Sequence, residues 1–140
     1  MKSDLTTYLS KNPKYRLVFD LSSSLDVESV DAGVYLAEVL RSEVQMKDLD
    51  IFASNAVRKM IHKHTYEHPK YGRYAAIRNI GILFEPALSL NLETIIEQIS
   101  KDELLIIQAE GVVENERFYF LSQQYNLSID LSHLTYTIIE

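Results

Sequence analysis

Three short segments with continuous apolar centres, separated by amphipathic stretches, constrain the fold of this chain more than any other feature. The segments fall at residues 15–21, 80–84 and 104–107. A segment that is apolar at nearly every position suits a strand buried on both faces, as found in parallel sheets covered by helices. We therefore expect an α/β fold in which helices cover both faces of a mainly parallel sheet.

Helical patterns occupy the stretches between these strands. The first begins near Ser23, which forms an approximate capping box with Asp26. Its apolar face is predicted to contain Val27, Val30, Val34, Ala37, Leu40 and Val44. Gly33 lies inside this pattern and costs a helix about 1 kcal/mol relative to alanine, so a break or a short strand at 34–36 is the alternative.

Two further helices have stronger patterns. One begins at Asp48 or Asp50 and ends before Pro69, with an apolar face formed by Leu49, Phe52, Ala53, Ala56, Val57, Met60, Ile61 and His64. The other is capped by Asn91 and carries Leu92, Ile95, Ile96 and Ile99 on one face. Residues 66–74, which lie between the two helices and contain proline and glycine, predict a loop.

After Gly111 the pattern changes to an alternation of apolar and polar residues, which is typical of antiparallel strands. Residues 117–121 and 127–131 alternate in this way, residues 114–116 suit a hairpin connection, and residues 135–139 predict a last strand. These strands are expected to form an antiparallel C-terminal edge. Because no linker or repeat interrupts the chain, residues 1–140 are predicted to form a single α/β domain.

Composition narrows the class of protein. The chain contains no cysteine, which excludes a disulfide scaffold, a cysteine metal site and a thiol nucleophile. No apolar stretch approaches the roughly 18 residues of a membrane span, and the first residues do not resemble a secretion signal. We expect a soluble protein of the cytoplasm.

The basic residues are concentrated in one segment of a chain whose net charge is −6. Residues 58–78 carry Arg58, Lys59, Lys63, Lys70, Arg73 and Arg78 against the single acid Glu67. This asymmetry predicts a basic patch facing an anionic partner, although helix-end charges and pairing with the acidic surface are the alternative explanation. The predicted partner-binding residues are Arg58, Lys63, Lys70, Tyr71, Arg73 and Tyr74.

Two kinds of partner suit this basic, tyrosine-rich segment. Tyrosine and arginine dominate the energetic centres of protein interfaces, which favours a protein partner or a homo-oligomer. The same mixture also suits base stacking with phosphate contacts, so a nucleic-acid-binding module is the alternative.

Carboxylates follow the predicted strands and suggest a possible enzyme. Asp20, Glu85 and Glu110 would lie beyond the carboxyl ends of parallel strands, where ligands bind in such folds. If they converge they could hold Mg²⁺, as in a metal-dependent nuclease or phosphoesterase. The alternative is that Asp20 and the serines after it cap a helix, while Glu85 and Glu110 lie in solvated loops.

Two other kinds of site are disfavoured. No G-x-x-x-x-G-K-[ST] motif occurs, and residues 20–31 contain no glycine, no lysine and four acids, so no nucleotide cofactor is expected. His62 and His64 would point about 200° apart on a helix, so they could bind one zinc ion with His68 only if the helix ended early. Cationic residues at a helix C-terminus explain these histidines without a metal.

One part of the chain resembles the small P-loop ATPase-like protein of type 3 BREX phage-defence systems. The resemblance is carried by residues 79–88 (Asn-Ile-Gly-Ile-Leu-Phe-Glu-Pro-Ala-Leu), by Ser100 and by the run 104–111. The resemblance covers roughly residues 77–120. The family's nucleotide loop has no counterpart in this chain, and the acid expected before Asn-Ile, which would organise Mg²⁺, is Arg78. The resemblance implies a degenerate, P-loop-like pseudo-ATPase that binds other subunits of a defence complex.

The leading functional hypothesis is therefore a non-enzymatic accessory or scaffold protein that acts through protein–protein contacts. The metal-dependent enzyme and the nucleic-acid-binding module are the alternatives.

Overall fold

A mainly parallel sheet forms the centre of the protein in the computed structural model, which describes residues 5–41 and 47–140. The strands are β1 (Leu17–Asp20), β2 (Val30–Asp31), β3 (Thr65–His68), β4 (Gly72–Arg78), β5 (Leu104–Gln108), β6 (Gly111–Glu114), β7 (Arg117–Phe120), β8 (Ser128–Asp130) and β9 (Thr137–Ile139). The parallel strands follow the order β2-β4-β5-β1-β9, and β3 pairs with β4 in the antiparallel direction. The helices are α1 (Leu5–Ser10), α2 (Ala32–Leu40), α3 (Leu49–Lys63) and α4 (Leu92–Asp102).

A second, antiparallel sheet contains β6, β7 and β8. Its first turn is made by Asn115 and Glu116, whose φ angles of 53° and 60° suit a two-residue hairpin turn. The predicted α/β class, with a mainly parallel sheet and an antiparallel C-terminal part, is confirmed. The last strand, β9, leaves the small sheet and pairs in parallel with β1 at the edge of the main sheet.

The two faces of the main sheet bury different side chains. On the first face lie Leu17, Phe19, Ala75, Ile77, Leu105 and Ile107, which pack with α2, α3, α4 and the small sheet. On the second face lie Val18, Tyr74, Ala76, Leu104 and Ile106, which pack with α1 and with residues of the β1–β2 connection. Helix α1 lies in a segment that the sequence had indicated only as polar, because its short length gives no clear periodicity.

The predicted strand at residues 80–84 is wrong. Strand β4 ends at Arg78, Asn79 takes a φ of 54°, and the chain then forms 3₁₀ turns at Gly81–Phe84 and Pro86–Leu88. The Leu83 N–H donates to the Ile80 carbonyl at 2.9 Å. Ile80 and Leu83 are both buried, since a spacing of three residues places them on one side of a 3₁₀ turn.

The predicted helix start at Ser23 is also wrong. Residues 21–29 form an irregular connection, and α2 begins at Ala32 with Asp31 as its N-cap; the Asp31 carboxylate accepts from the Val34 N–H at 2.9 Å. The buried face of the helix consists of Ala32, Leu36 and Leu40, whereas Val34, predicted to be buried, is 66% exposed. Val44, also predicted on this face, lies outside the described residues.

Gly33 is explained by a close approach and not by a helix break. A Cβ atom at this position would lie 2.4 Å from the side-chain nitrogen of Asn79, so any larger residue would collide with it. Gly33 also donates its N–H to the Asn79 carbonyl at 3.0 Å.

Helices α3 and α4 and strand β5 agree with the predicted patterns. The buried residues of α3 are Ala53, Ala56, Val57, Met60 and Ile61, and those of α4 include Leu92, Ile95, Ile96 and Ile99. The predicted loop at 66–74 is instead a hairpin of β3 and β4, whose turn at residues 69–71 leads into Gly72 with a φ of 76°. Within residues 5–41 and 47–140, no helix is long and apolar enough to span a membrane.

Candidate functional site, a crevice closed by its own chain

The strand connections place a topological switch point between β1 and β5. From β1 the chain runs to β2 on one side of the sheet, and from β5 it runs to β9 on the other side. In open parallel sheets, ligands bind at such a point, outside the carboxyl ends of the strands. β1 ends at Asp20 and β5 ends at Gln108, and these two residues are register partners.

Residues 21–29, which we name the closing loop, fold over this switch point. Asp20 is 0% exposed. Its Oδ1 accepts from the Ser24 N–H at 3.1 Å, and its Oδ2 accepts from the Leu25 N–H at 2.9 Å and from the Gln108 Nε2 at 3.0 Å. The Gln108 Nε2 also lies 3.2 Å from the Leu25 carbonyl oxygen, to which it donates. Both oxygens of the Asp20 carboxylate are therefore engaged with groups of the same chain.

The far end of the closing loop is held by β4. The Glu28 N–H donates to the Tyr74 hydroxyl at 2.9 Å. The Arg78 guanidinium donates to the Ser29 carbonyl, and at 3.1 Å to the Ser29 hydroxyl. Since the loop also packs apolar side chains against the second face of the sheet, it is fixed by backbone, side-chain and core contacts together.

The closing loop disfavours the binding of a phosphate group, a ligand that parallel sheets often bind at the carboxyl ends of their strands. A phosphate at this place would need free backbone N–H groups and a cation, but the Ser24 and Leu25 N–H groups already bond to Asp20. The closing loop also carries the exposed acids Asp26 and Glu28, which repel an anion.

The predicted three-carboxylate metal site is not formed. Asp20 is buried, whereas Glu85 and Glu110 are exposed, Glu85 at the N-cap of the second 3₁₀ turn and Glu110 just after β5. Across residues 5–41 and 47–140, no three His, Asp or Glu side chains are grouped as a metal ion requires. The reason is that the Asp20 carboxylate accepts hydrogen bonds from the closing loop, whereas the side chains of Glu85 and Glu110 are exposed to solvent.

His62, His64 and His68 each make a different contact. Among the described residues they do not form the zinc site that the sequence left open. The His64 Nδ1 lies 2.7 Å from the Met60 carbonyl at the end of α3. The His68 Nδ1 accepts from the Lys70 N–H at 3.0 Å within the hairpin turn. The His62 Nδ1 lies 3.9 Å from a Glu103 carboxylate oxygen.

A second polar cluster fixes the start of α2 beside the closing loop. The Asp31 carboxylate accepts from the Val34 N–H and, at 2.8 Å, from the Asn79 side chain. These two hydrogen bonds hold the pKa of Asp31 below its ordinary value, and nearby Arg78 lowers it further. The cluster ties α2 to Asn79, the residue that follows β4.

The predicted basic patch divides into two parts. Arg78 lies at the carboxyl end of β4, where it holds the closing loop. At the opposite, amino end of the strands, the Arg73 Nε lies 3.6 Å from Glu103, and the Arg16 guanidinium donates to the Asp102 carbonyl at 2.7 Å. Arg16 and Arg73 meet around residues 102–103, where the His62 ring also lies near Glu103. Together with Lys63 and Lys101, their neighbours in the sequence, these residues form what we name the amino-edge basic surface.

Glu103 lies at the base of this surface. Its side chain is 12% exposed, and its Oε2 has no hydrogen-bond partner within the described part of the chain, since 3.6 Å to Arg73 is longer than a hydrogen bond. The carboxylate partly neutralises the cations above it. The remaining positive charge faces solvent.

The aromatic residues of the predicted contact segment are less accessible than the sequence indicated. The Tyr71 ring stacks on His68 with centroids 4.1 Å apart, so one of its faces is covered. Tyr74 is 3% exposed, and its hydroxyl bonds to the closing loop, so it is not available as a surface contact. Lys63, Lys70 and Arg73 are exposed as predicted, while Arg58 is half-buried and donates to Gln98 of α4.

Comparison of the chain with protein-family models, with curated proteins and with solved structures gives no match. The resemblance to the phage-defence ATPase-like family therefore stays a prediction.

The sequence did not indicate the closing loop, because its main contacts join residues far apart in the chain. Asp20 and Gln108 are separated by 88 residues, and Glu28 and Tyr74 by 46. Two signals were available: the serines after Asp20, which suggested a capping role for its carboxylate, and Arg78 where the resembled family has an acid.

Proposed function

We propose that this chain is a non-enzymatic accessory or scaffold protein that acts through protein–protein contacts, in a phage-defence complex of the type that its sequence resembles. The observation that carries the proposal is the closed crevice. The place where a parallel sheet binds its ligand is filled by residues 21–29, and the carboxylate at the end of β1 is fully buried and hydrogen-bonded.

Arg78 supports the same conclusion. In the resembled family an acid at this position would organise Mg²⁺, whereas here a guanidinium donates to Ser29. A permanent positive charge at this point repels a divalent cation and at the same time keeps the loop closed. The two departures from a nucleotide site, a missing phosphate loop and a missing acid, therefore belong to one structural arrangement.

The exposed cations at the other end of the sheet supply the contact surface of this proposal. Lys63 and Lys70 are exposed and can meet an acidic partner, and Tyr71 adds apolar area beside them. Arg73 is also exposed, although its Nε lies 3.6 Å from Glu103. A protein partner is favoured over nucleic acid, because base stacking needs accessible ring faces and the structure covers Tyr71 with His68 and buries Tyr74.

The first test is isothermal titration of the protein with ATP and Mg²⁺ together, and with Mg²⁺ or Mn²⁺ alone. We expect no binding heat up to about 1 mM ligand, which corresponds to less than about 4 kcal/mol of binding free energy. The proposal would be overturned if ATP or a metal ion bound saturably below this concentration and the binding were lost in Asp20→Ala. That result would favour the metal-dependent enzyme instead.

The second test asks whether the amino-edge basic surface binds one of a defined set of candidate proteins. The proteins encoded beside this one are co-expressed with the wild type, with Lys63→Glu/Arg73→Glu, and with the control Lys11→Glu/Lys47→Glu, which changes the charge equally at exposed lysines elsewhere. We expect one neighbour to co-purify with the wild type and the control but not with the first variant. Equal recovery with both variants would show that the amino-edge basic surface is not the contact.

A further inference from the structure

An open groove lies at the carboxyl end of the sheet, beside the closing loop. It has a volume of about 350 Å³ and is lined by Leu21, Ser22, Gly111, Val112, Val113 and Glu140. Its floor is partly apolar, and Val112 is 36% exposed there. Strand β6, which provides this wall, is an outer strand of the small sheet, so the described structure leaves one of its backbone edges without a strand partner.

The rim of the groove is acidic. Glu140 lines the groove, and the exposed Glu110 and Glu114 flank its lining residues 111–113 in the sequence. The Glu114 Oε2 also accepts from the Gln123 Nε2 at 2.6 Å. Arg117, the basic residue of the same hairpin, directs its guanidinium away to the Ser128 hydroxyl at 2.9 Å. The groove thus combines exposed apolar area with acids that are not neutralised by this arginine.

A complementary projection lies at the other end of the same molecule. The turn between β3 and β4 presents Pro69 and Lys70 to solvent, with Arg73 exposed at the start of β4 and Tyr71 half-buried behind them. The His68 Nδ1 accepts from the Lys70 and Tyr71 N–H groups at 3.0 and 3.4 Å, so the shape of the turn is fixed before any contact is made. A preformed projection loses little conformational entropy on docking.

We infer that the β3–β4 turn of one copy docks in the groove of a second copy, with Lys70 and Arg73 facing the acidic rim. This inference rests on the proposed function, since it uses the same exposed cations and adds a second copy of the chain to the proteins that they can contact. The charges on the two surfaces are opposite and attract over about 8–10 Å at moderate salt. Because the turn and the groove lie at opposite ends of the strands, the contact is head-to-tail, and it adds copies in a row unless a ring closes.

The experiment is charge reversal followed by light scattering. One variant, Lys70→Glu/Arg73→Glu, reverses the turn, and another, Glu110→Lys/Glu114→Lys, reverses the rim. We expect the wild-type mass to rise with protein concentration and to fall as salt increases from about 50 to about 300 mM. Each variant alone is expected to be a monomer, and Lys11→Glu/Lys47→Glu, the control, is expected to associate like the wild type.

Mixing the two variants gives the decisive result. The unchanged turn of the rim variant matches the unchanged rim of the turn variant, and the reversed turn, now acidic, matches the reversed rim, now basic. We expect the mixture to regain, at a 1:1 ratio, the concentration-dependent association of the wild type, with the two variants alternating. Association that survives either variant alone, or a mixture that stays monomeric, would overturn the inference.

A failure here is distinguishable from a failure of the proposed function. A wild type that is monomeric at low salt and silent toward ATP and metals disproves self-docking and leaves the accessory function standing. Saturable ATP or metal binding disproves the accessory function whatever the mass of the particle.

Discussion

Replacing Asp20 with alanine is the strongest test of the closed crevice. The carboxylate accepts from the Ser24 N–H, the Leu25 N–H and the Gln108 side chain, all at 3.1 Å or less. A hydrogen bond to a charged group is worth about 1.5–3 kcal/mol, and a buried donor without an acceptor costs about 1–3 kcal/mol. Ser24 is exposed and regains water, so the loss of the other two bonds sets an expected destabilisation of about 3–5 kcal/mol.

The measurement is urea unfolding, combined with hydrogen exchange at the Leu25 amide. The matched control is Asp26→Ala, which removes an exposed carboxylate from the same loop and should change the free energy of unfolding by no more than about 0.5 kcal/mol. Asp20→Asn keeps the size of the side chain but turns an amide donor toward other donors, so an intermediate loss of about 2 kcal/mol is expected. If Asp20→Ala costs less than about 1 kcal/mol and leaves the Leu25 amide protected, Asp20 does not hold the loop and the reasoning is refuted.

Three further predictions concern the packing and the cap. Gly33→Ala should destabilise the protein by about 1–3 kcal/mol, because its Cβ would lie 2.4 Å from the Asn79 side chain; the penalty should shrink when Asn79→Ala is added, and equal penalties in both backgrounds would contradict the contact. The pKa of Asp31 in the folded protein is lowered from 3.8, so the ionised carboxylate stabilises the fold fully above pH 3.8, and this stabilisation is lost as the pH falls through the folded pKa. In urea unfolding, Asp31→Asn should therefore lose less stability below pH 4 than the wild type does. Identical pH profiles of the two proteins would exclude this role. Phe118→Ala should cost about 3–5 kcal/mol in thermal or urea unfolding, because this fully buried ring stacks on Phe19 at 4.8 Å, and a loss below about 1 kcal/mol would mean that the small sheet does not pack there.

The parts of the fold that sequence reasoning predicted well are those whose structure follows from local periodicity. Helix α4 repeats its apolar residues at Leu92, Ile95, Ile96 and Ile99, and no strand could bury all four on one face. A run of apolar residues without a period is more ambiguous. Residues 80–84 have the composition of a buried strand, but the chain leaves β4 at Asn79, which has a φ of 54°, and continues as a 3₁₀ segment.

The candidate site was less predictable than the fold. Its carboxylate, Asp20, was identified as lying at a strand end, but the groups that satisfy it depend on the register between β1 and β5 and on the path of the β1–β2 connection. A sequence shows which residues can accept hydrogen bonds and does not show which distant donors will reach them. For this reason the position of Asp20 in the sequence fits both a metal ligand and a structural hydrogen-bond acceptor.

Tyr74 contacts both the β3–β4 hairpin and the closing loop. Its ring lies 6.2 Å from the His68 ring and 6.0 Å from the Tyr66 ring in the β3–β4 hairpin, while its hydroxyl accepts from Glu28 in the closing loop. A force that displaces the hairpin must therefore move this tyrosine or break its bond to the loop. A displacement of the β3–β4 hairpin can therefore reach the closing loop by two routes, through the Tyr74 side chain and through β4 to Arg78, which holds Ser29.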